Sequence, residues 1–263
     1  MPDSTSQTGP TPGHDRADPT PHIDAALLAG TMFLSAYLLF FLQPLMGRYL
    51  LPWFGGGAGV WTACMLFFQC ALLAGYLYAH CLDRFLNLRR QAVVHSVVLL
   101  GGLLFLPVIP DPAWQPSNPE FPSTRILLLL TATVGIPFLA LAATTPLIGA
   151  WHRDRFPGGS PYRLYALSNA GSLLALLAYP WVIEPAISLR SQSGMWSWAW
   201  ALFAGACGVA GWRVALTAAD RRADQDMGRE VGQRITEKPG WNSFAHWVAL
   251  AATGSVMLLA TTA

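Results

Sequence analysis

The sequence predicts an all-α, polytopic membrane bundle: about seven transmembrane helices, as a six-helix unit followed by one more. Three observations predict it. Hydrophobic residues make up 53% of the 263-residue chain and charged residues only 11%, against about 25% charged in soluble domains. Apolar stretches recur at the length of about 20 residues that a spanning helix needs. The cationic residues fall almost entirely in alternate loops, as the positive-inside rule requires.

Residues 1–22 carry Pro2, Pro10, Pro12, Pro19 and Pro21 among polar residues. Too little apolar surface is present there to offset the entropy of ordering, so a disordered tail is expected. It lacks the basic n-region of a cleaved signal peptide, which makes the first apolar segment an uncleaved anchor. The segments are Ile23–Met46, Val60–Cys81, Ala92–Ile109, Ile126–Ala150, Tyr162–Ile187, Gly194–Val214 and Phe244–Thr262. The first six form a bundle over 23–215. A charged connector at 216–240 leads to the seventh at 241–263.

Pro137 and Pro146 fall inside the fourth segment and are expected to kink it. Ser160 followed by Pro161 reads as an N-cap with proline at N1 of the fifth, and Asn242 or Ser243 is placed to cap the seventh. Gly55-Gly56-Gly57-Ala58-Gly59 lies between two membrane segments with no strand–turn–helix context, so a tight turn is expected and not a phosphate cradle. Cys64, Cys70, Cys81 and Cys207 form no C-x-x-C pair and are expected as free, small hydrophobes.

Thirteen of the sixteen Lys and Arg residues fall in the tail and the even-numbered loops, leaving only Arg48, Arg125 and Arg190 on the other side. The N-terminus is therefore expected in the cytosol. The eleven tryptophans fall near predicted helix ends and none at a predicted midplane, the pattern of aromatic belts. A net charge of +2 gives no reason to expect nucleic acid.

Few polar residues enter the apolar segments. In the fifth, Ser168, Gly171, Ser172, Ala175 and Ala178 share one face at spacings of three and four, a surface on which another helix can approach closely. Asn169 lies beside that stripe, as packing glue or a substrate contact. Arg163 and Glu184 stand at opposite ends of this helix, about 30 Å apart, so Glu184 is expected to meet Arg48, Arg190 or water. Gln43-Pro44 and Arg48 form a polar knot at the outer end of the first segment. His80 and His95 are expected as interfacial histidines near inner helix ends, since no third ligand suggests a metal. No Asp, Glu, Lys or Arg falls near a predicted midplane, so transport of a multiply charged polyamine is not expected.

Two stretches carry a resemblance. They are QPLMGRYLLPWFGGGAGVWTACMLFFQCALLAGYLYAHCLDR, from Gln43 to Arg84, and TTPLIGAWHRDRFPGGSPYRLYALSNAGSLLALLAYPWVIEP, ending at Pro185. Both resemble the membrane part of bacterial fused major-facilitator/spermidine-synthase-like proteins. Asp83, Arg84, Arg89 and Arg90 are similar in type to the major-facilitator signature in the loop after the second helix, with a longer spacing and no glycine. The resemblance implies a major-facilitator-like six-helix unit in a bacterial inner membrane. In that family more helices and an aminopropyltransferase-like domain follow. The chain reaches Ala263 without them, so no catalytic residue, cofactor or metal is expected. The function implied is a non-catalytic membrane module. The alternative is a transporter of an uncharged or amphipathic small molecule. The expected partners are the lipid bilayer and either a second copy or a separate C-terminal half.

Overall fold

The structure is a computed structural model that describes residues 20–116 and 122–228. The chain divides into two units, Met1–Arg221 and Arg222–Ala263. The account below concerns the first. Among the described residues six helices form: α1 (Thr20–Phe54), α2 (Ala58–Phe85), α3 (Leu88–Leu103), α4 (Pro122–Arg155), α5 (Tyr162–Ala178) and α6 (Leu189–Gly228). A π-helical turn, Tyr179–Ile183, carries α5 on to Ala186. All but α3 are long and apolar enough to cross a membrane. With 16 residues, α3 is about 24 Å long, short of a hydrocarbon core of about 30 Å. The expected tail lies almost wholly outside the described residues, as do the seventh segment and its caps.

The helices run past their apolar segments. The first continues through Gln43-Pro44 to Phe54, because Leu45, Met46 and Leu50 still bury on its inner side. Gln43 and Arg48 are therefore helical residues and not a terminal knot. The third starts at Leu88 rather than Ala92, where the Asn87 side chain caps it by accepting from the Arg90 amide at 3.0 Å. It stops at Leu103, short of the expected Ile109. The sixth continues to Gly228, so the expected connector is helical that far. Its alanines at 215, 218, 219 and 223 are strong helix formers outside any apolar run. Pro161, not Ser160, occupies the N-cap position of α5. The Pro161 carbonyl accepts from the amides of Leu164 and Tyr165, which anchors the first turn without a side-chain cap. Gly55, at φ +77°, closes α1 by donating to the Leu51 carbonyl at 2.9 Å, a left-handed cap that glycine adopts freely.

Packing runs in the order α5, α1, α4, α2, with α3 also on α4. The expected small-residue face of α5 is the contact with α1. Ser168, Gly171 and Ala175 are buried, and a Cβ at Gly171 would lie 2.6 Å from the Phe33 carbonyl oxygen. Glycine there lets two backbones nearly touch. Three threonine and serine hydroxyls inside the bundle return to their own helix: Thr31 donates to the Leu27 carbonyl, Thr144 to Ala140 and Ser197 to Ser193. With no water to take those protons, this is the cheapest partner.

Three of the nine tryptophans among the described residues are buried in the core, which corrects the belt expectation for them. Trp61, Trp181, Trp198 and Trp212 are exposed, whereas Trp151, Trp196 and Trp200 are core residues. Each core indole N–H has an internal acceptor: Gln91 Oε1 at 3.0 Å, the Leu38 carbonyl at 2.9 Å and the Pro137 carbonyl at 3.3 Å respectively. Two of the rings fit glycine notches, Trp200 at Gly102 and Trp151 at Gly211. A satisfied indole with a notch to fill no longer needs the interface.

Gly171→Val should lower stability by about 1–3 kcal/mol through forced separation of α1 and α5. Gly205→Ala, where a Cβ meets nothing within 4 Å, should be neutral. The monodisperse fraction remaining after a heat step measures both, and equal losses would contradict the close contact.

Candidate functional site

Three helices meet at the start of α1 around one carboxylate. Asp24 is 3% exposed and accepts from Arg155 Nε of α4 at 2.7 Å and from Arg213 Nε of α6 at 2.6 Å. These lengths are those of strong charge-assisted bonds. Asp83 at the end of α2 meets Arg153 at 3.2 Å, on the surface. The alternating helices thus bring one end of α1, α2, α4 and α6 together, as the charge pattern requires. Asp24 went unnoticed in the sequence because it reads as one more polar residue at a helix start. Arg155 and Arg213 were counted only as loop cations. The motif-like residues lie at the same end. Asp83 takes part in the ion pair just described, and Arg84 lies 5.8 Å over the Phe85 ring. Arg89 and Arg90 are exposed in the first turn of α3.

His95 is fully buried between α2 and α6, which corrects its assignment to the interface. Its ring nitrogens face Tyr78 Oη at 3.3 Å and Cys207 Sγ at 3.5 Å. Trp151 stands edge-on to the ring at 6.1 Å. His80 is exposed. The four cysteines are free, with Cys64 and Cys207 buried.

A cavity of about 1030 Å³ opens among α1, α2, α4 and α5. From the packing order, α1 and α4 form its back and α2 and α5 its flanks. Most of its wall is apolar: Leu39 and Phe40, Met65 and Phe68, Leu173 and Leu176. Four of the five polar residues singled out in the sequence line it together: Gln43, Arg48, Asn169 and Glu184. The fifth, Arg163, is exposed at the opposite end of α5 and does not line it. Gln69 and Thr145 also line it. Gln69 was legible as the one amide inside the apolar run of α2.

Local sequence explains how the charged end is built. Pro180 and Pro185 lack the amides that a regular α5 would need there. The helix widens into the π turn, and the Glu184 amide reaches back to the Tyr179 carbonyl. Gln192, fully buried, secures this end. It accepts from Tyr179 Oη at 2.9 Å and donates to the Ile187 carbonyl at 2.8 Å. Glu184 is thereby brought to Arg48, Oε1 to Nε at 3.4 Å, with side chains 43% and 35% exposed. Polar side chains at membrane depth normally face a bundle interior or a water-filled space, and π turns concentrate at functional sites. Four helices converge here to offer amides and one ion pair on an apolar wall.

The two carboxylates should respond differently to neutralisation. Asp24→Asn removes the one charge that two guanidinium groups share and should cost about 3 kcal/mol. Glu184→Gln should cost less than about 1 kcal/mol, because its long, half-exposed contact contributes little to stability. Unfolding in mixed micelles titrated with sodium dodecyl sulfate measures both. An equal or reversed ranking would refute the assignment of Asp24 as the structural clamp.

No protein-family model, no curated protein and no solved structure matches this chain.

Proposed function

We propose that the chain is an integral membrane unit that binds, and moves across the bilayer, an uncharged or amphipathic small molecule. The observation that carries this reading is the cavity of about 1030 Å³ between α2 and α5. Its size is at the upper end of the range in which small ligands are held, about 300–1,000 Å³. Its mixture of apolar wall and few convergent polar groups is the usual chemistry of such sites. Gln43, Gln69, Asn169 and Thr145 can orient an uncharged molecule without imposing a net charge on it. An anchoring module within a larger assembly, the role that the resemblance to fused major-facilitator/spermidine-synthase-like proteins favours, would leave this cavity without a ligand. One measurement therefore separates the two roles.

Asn169→Trp places a large side chain in the cavity lining. A screen of neutral and amphipathic compounds should find some that raise the melting temperature of the purified protein. Those compounds should lose their effect on Asn169→Trp and on Ser172→Leu, with both variants folding as the parent does. If no compound distinguishes the parent from either filled variant, the binding reading is lost and the anchoring role stands.

In the orientation we propose, the clamp around Asp24 faces the cytosol of a bacterium and the Arg48–Glu184 end faces away. Thirteen of sixteen cationic residues support it. A single cysteine at Gly159, in the α4–α5 turn of a cysteine-free background, should react with a membrane-impermeant maleimide only after cells are opened. Labelling in intact cells would reverse the orientation.

A further inference from the structure

The two ends of the molecule treat their carboxylates differently, and the difference bears on what the cavity holds. Asp24 is gripped at 2.6 and 2.7 Å and is nearly inaccessible. Glu184 meets Arg48 through one contact at 3.4 Å, a second Arg48 nitrogen donates to the Glu184 backbone carbonyl, also at 3.4 Å, and the guanidinium also interacts with the Tyr179 hydroxyl. Charge-assisted bonds normally close to about 2.7–2.9 Å. A guanidinium has five N–H donors and a carboxylate two acceptor oxygens. Both groups line the cavity and both are partly exposed, so this slack pair retains donors and acceptors for a third party.

The chemistry of that third party follows from the charge balance. Among the described residues the cavity lining carries one cation and one anion, Arg48 and Glu184. An anionic head would gain Arg48 and be repelled by Glu184, and a cationic head would meet the reverse. A head bearing both charges satisfies both groups at once. Trp61 lines the same end, its ring 3.4 Å from where a Gly47 Cβ would be, one residue from Arg48. An indole face attracts an ammonium group. From Glu184 the cavity follows α5 to Tyr165, nineteen residues or about 28 Å. That is close to the thickness of a bilayer's hydrocarbon, about 30 Å.

Resting on the binding role proposed above, we propose that the ligand is an amphiphile with a zwitterionic head. Arg48 takes the anionic group of the head. Glu184 and Trp61 take its ammonium. The apolar chain lies along α5 against Phe40, Phe68, Leu173 and Leu176.

Equilibrium binding of radiolabelled single-chain probes to the purified protein tests this. The probes share one alkyl chain and differ in head: phosphocholine, phosphoglycerol (anionic) and trimethylammonium (cationic). Phosphocholine without a chain is the fourth. The parent should prefer the zwitterionic chain by about tenfold over either singly charged one, the scale of one hydrogen bond to a charged group. Glu184→Gln should raise relative affinity for the anionic head, and Arg48→Gln for the cationic head. Arg48→Lys should keep the parental order, as should the exchange of Arg48→Glu with Glu184→Arg, and these two variants decide the matter if Arg48→Gln does not fold. Equal affinity for all three heads, with binding still abolished by Asn169→Trp, would overturn the head assignment and leave the cavity role intact. Phosphocholine alone binding as tightly as its alkyl form would overturn the amphiphile. Binding of every probe unaffected by Asn169→Trp would be partition into detergent and would remove both proposals.

Discussion

A charge buried inside a helical bundle has to find its partner within the protein, and in this molecule Asp24 meets that constraint for three helices together. It stands 131 residues from Arg155 and 189 from Arg213 in sequence. The bonds are short and the carboxylate is almost fully covered, so α1, α4 and α6 are fixed to one another at this end. The packing of α5 on α1 and of α2 on α4 then follows along the helices. The far end, where Arg48 and Glu184 touch loosely, is held by uncharged groups instead: Gln192 bridges Tyr179 to the last carbonyls of α5, and Tyr49 Oη meets Ser193 Oγ at 2.9 Å. One end is fastened by charge, while at the other end charge is left available.

This division explains why the polar residues of the cavity were legible in the sequence and the clamp was not. Gln43, Asn169 and Glu184 stood out because each interrupts an apolar run, and such an interruption is costly in lipid unless something receives it. That cost is local and can be read one segment at a time. The value of Asp24 lies in two partners on other helices, and nothing within its own segment announces them. Counting cations by loop recovers which helix ends lie together, and the Asp24 and Asp83 pairs agree with that count. It does not show which of those cations turn inward.

Helix ends and tryptophans were misjudged for a related reason. Hydropathy marks where a helix leaves hydrocarbon, not where its hydrogen-bonded ladder stops. Hence α1 and α6 run well beyond their apolar segments, while α3 starts where Asn87 can cap it. Tryptophan favours the interface because its ring is apolar and its N–H is not. Trp151, Trp196 and Trp200 resolve that conflict internally, with an acceptor for each N–H. The glycines that admit two of these rings, Gly102 and Gly211, are visible in the sequence only as small residues. Their pairing with a particular indole is a property of the packed bundle.

The π turn at Tyr179–Ile183 also bears on how this chain can vary. A π turn is an α-helix carrying one residue more than its ladder needs. Loss of a residue from this stretch would restore ordinary helical geometry without disturbing the α1–α5 contact before it. The residues beyond would keep their phase, because the wide turn is what absorbs the extra residue. Glu184 lies just past that point, so a single-codon deletion would leave the carboxylate facing Arg48. The chain therefore has a place where its length can change by one residue while the charge presented to the cavity is inherited unaltered.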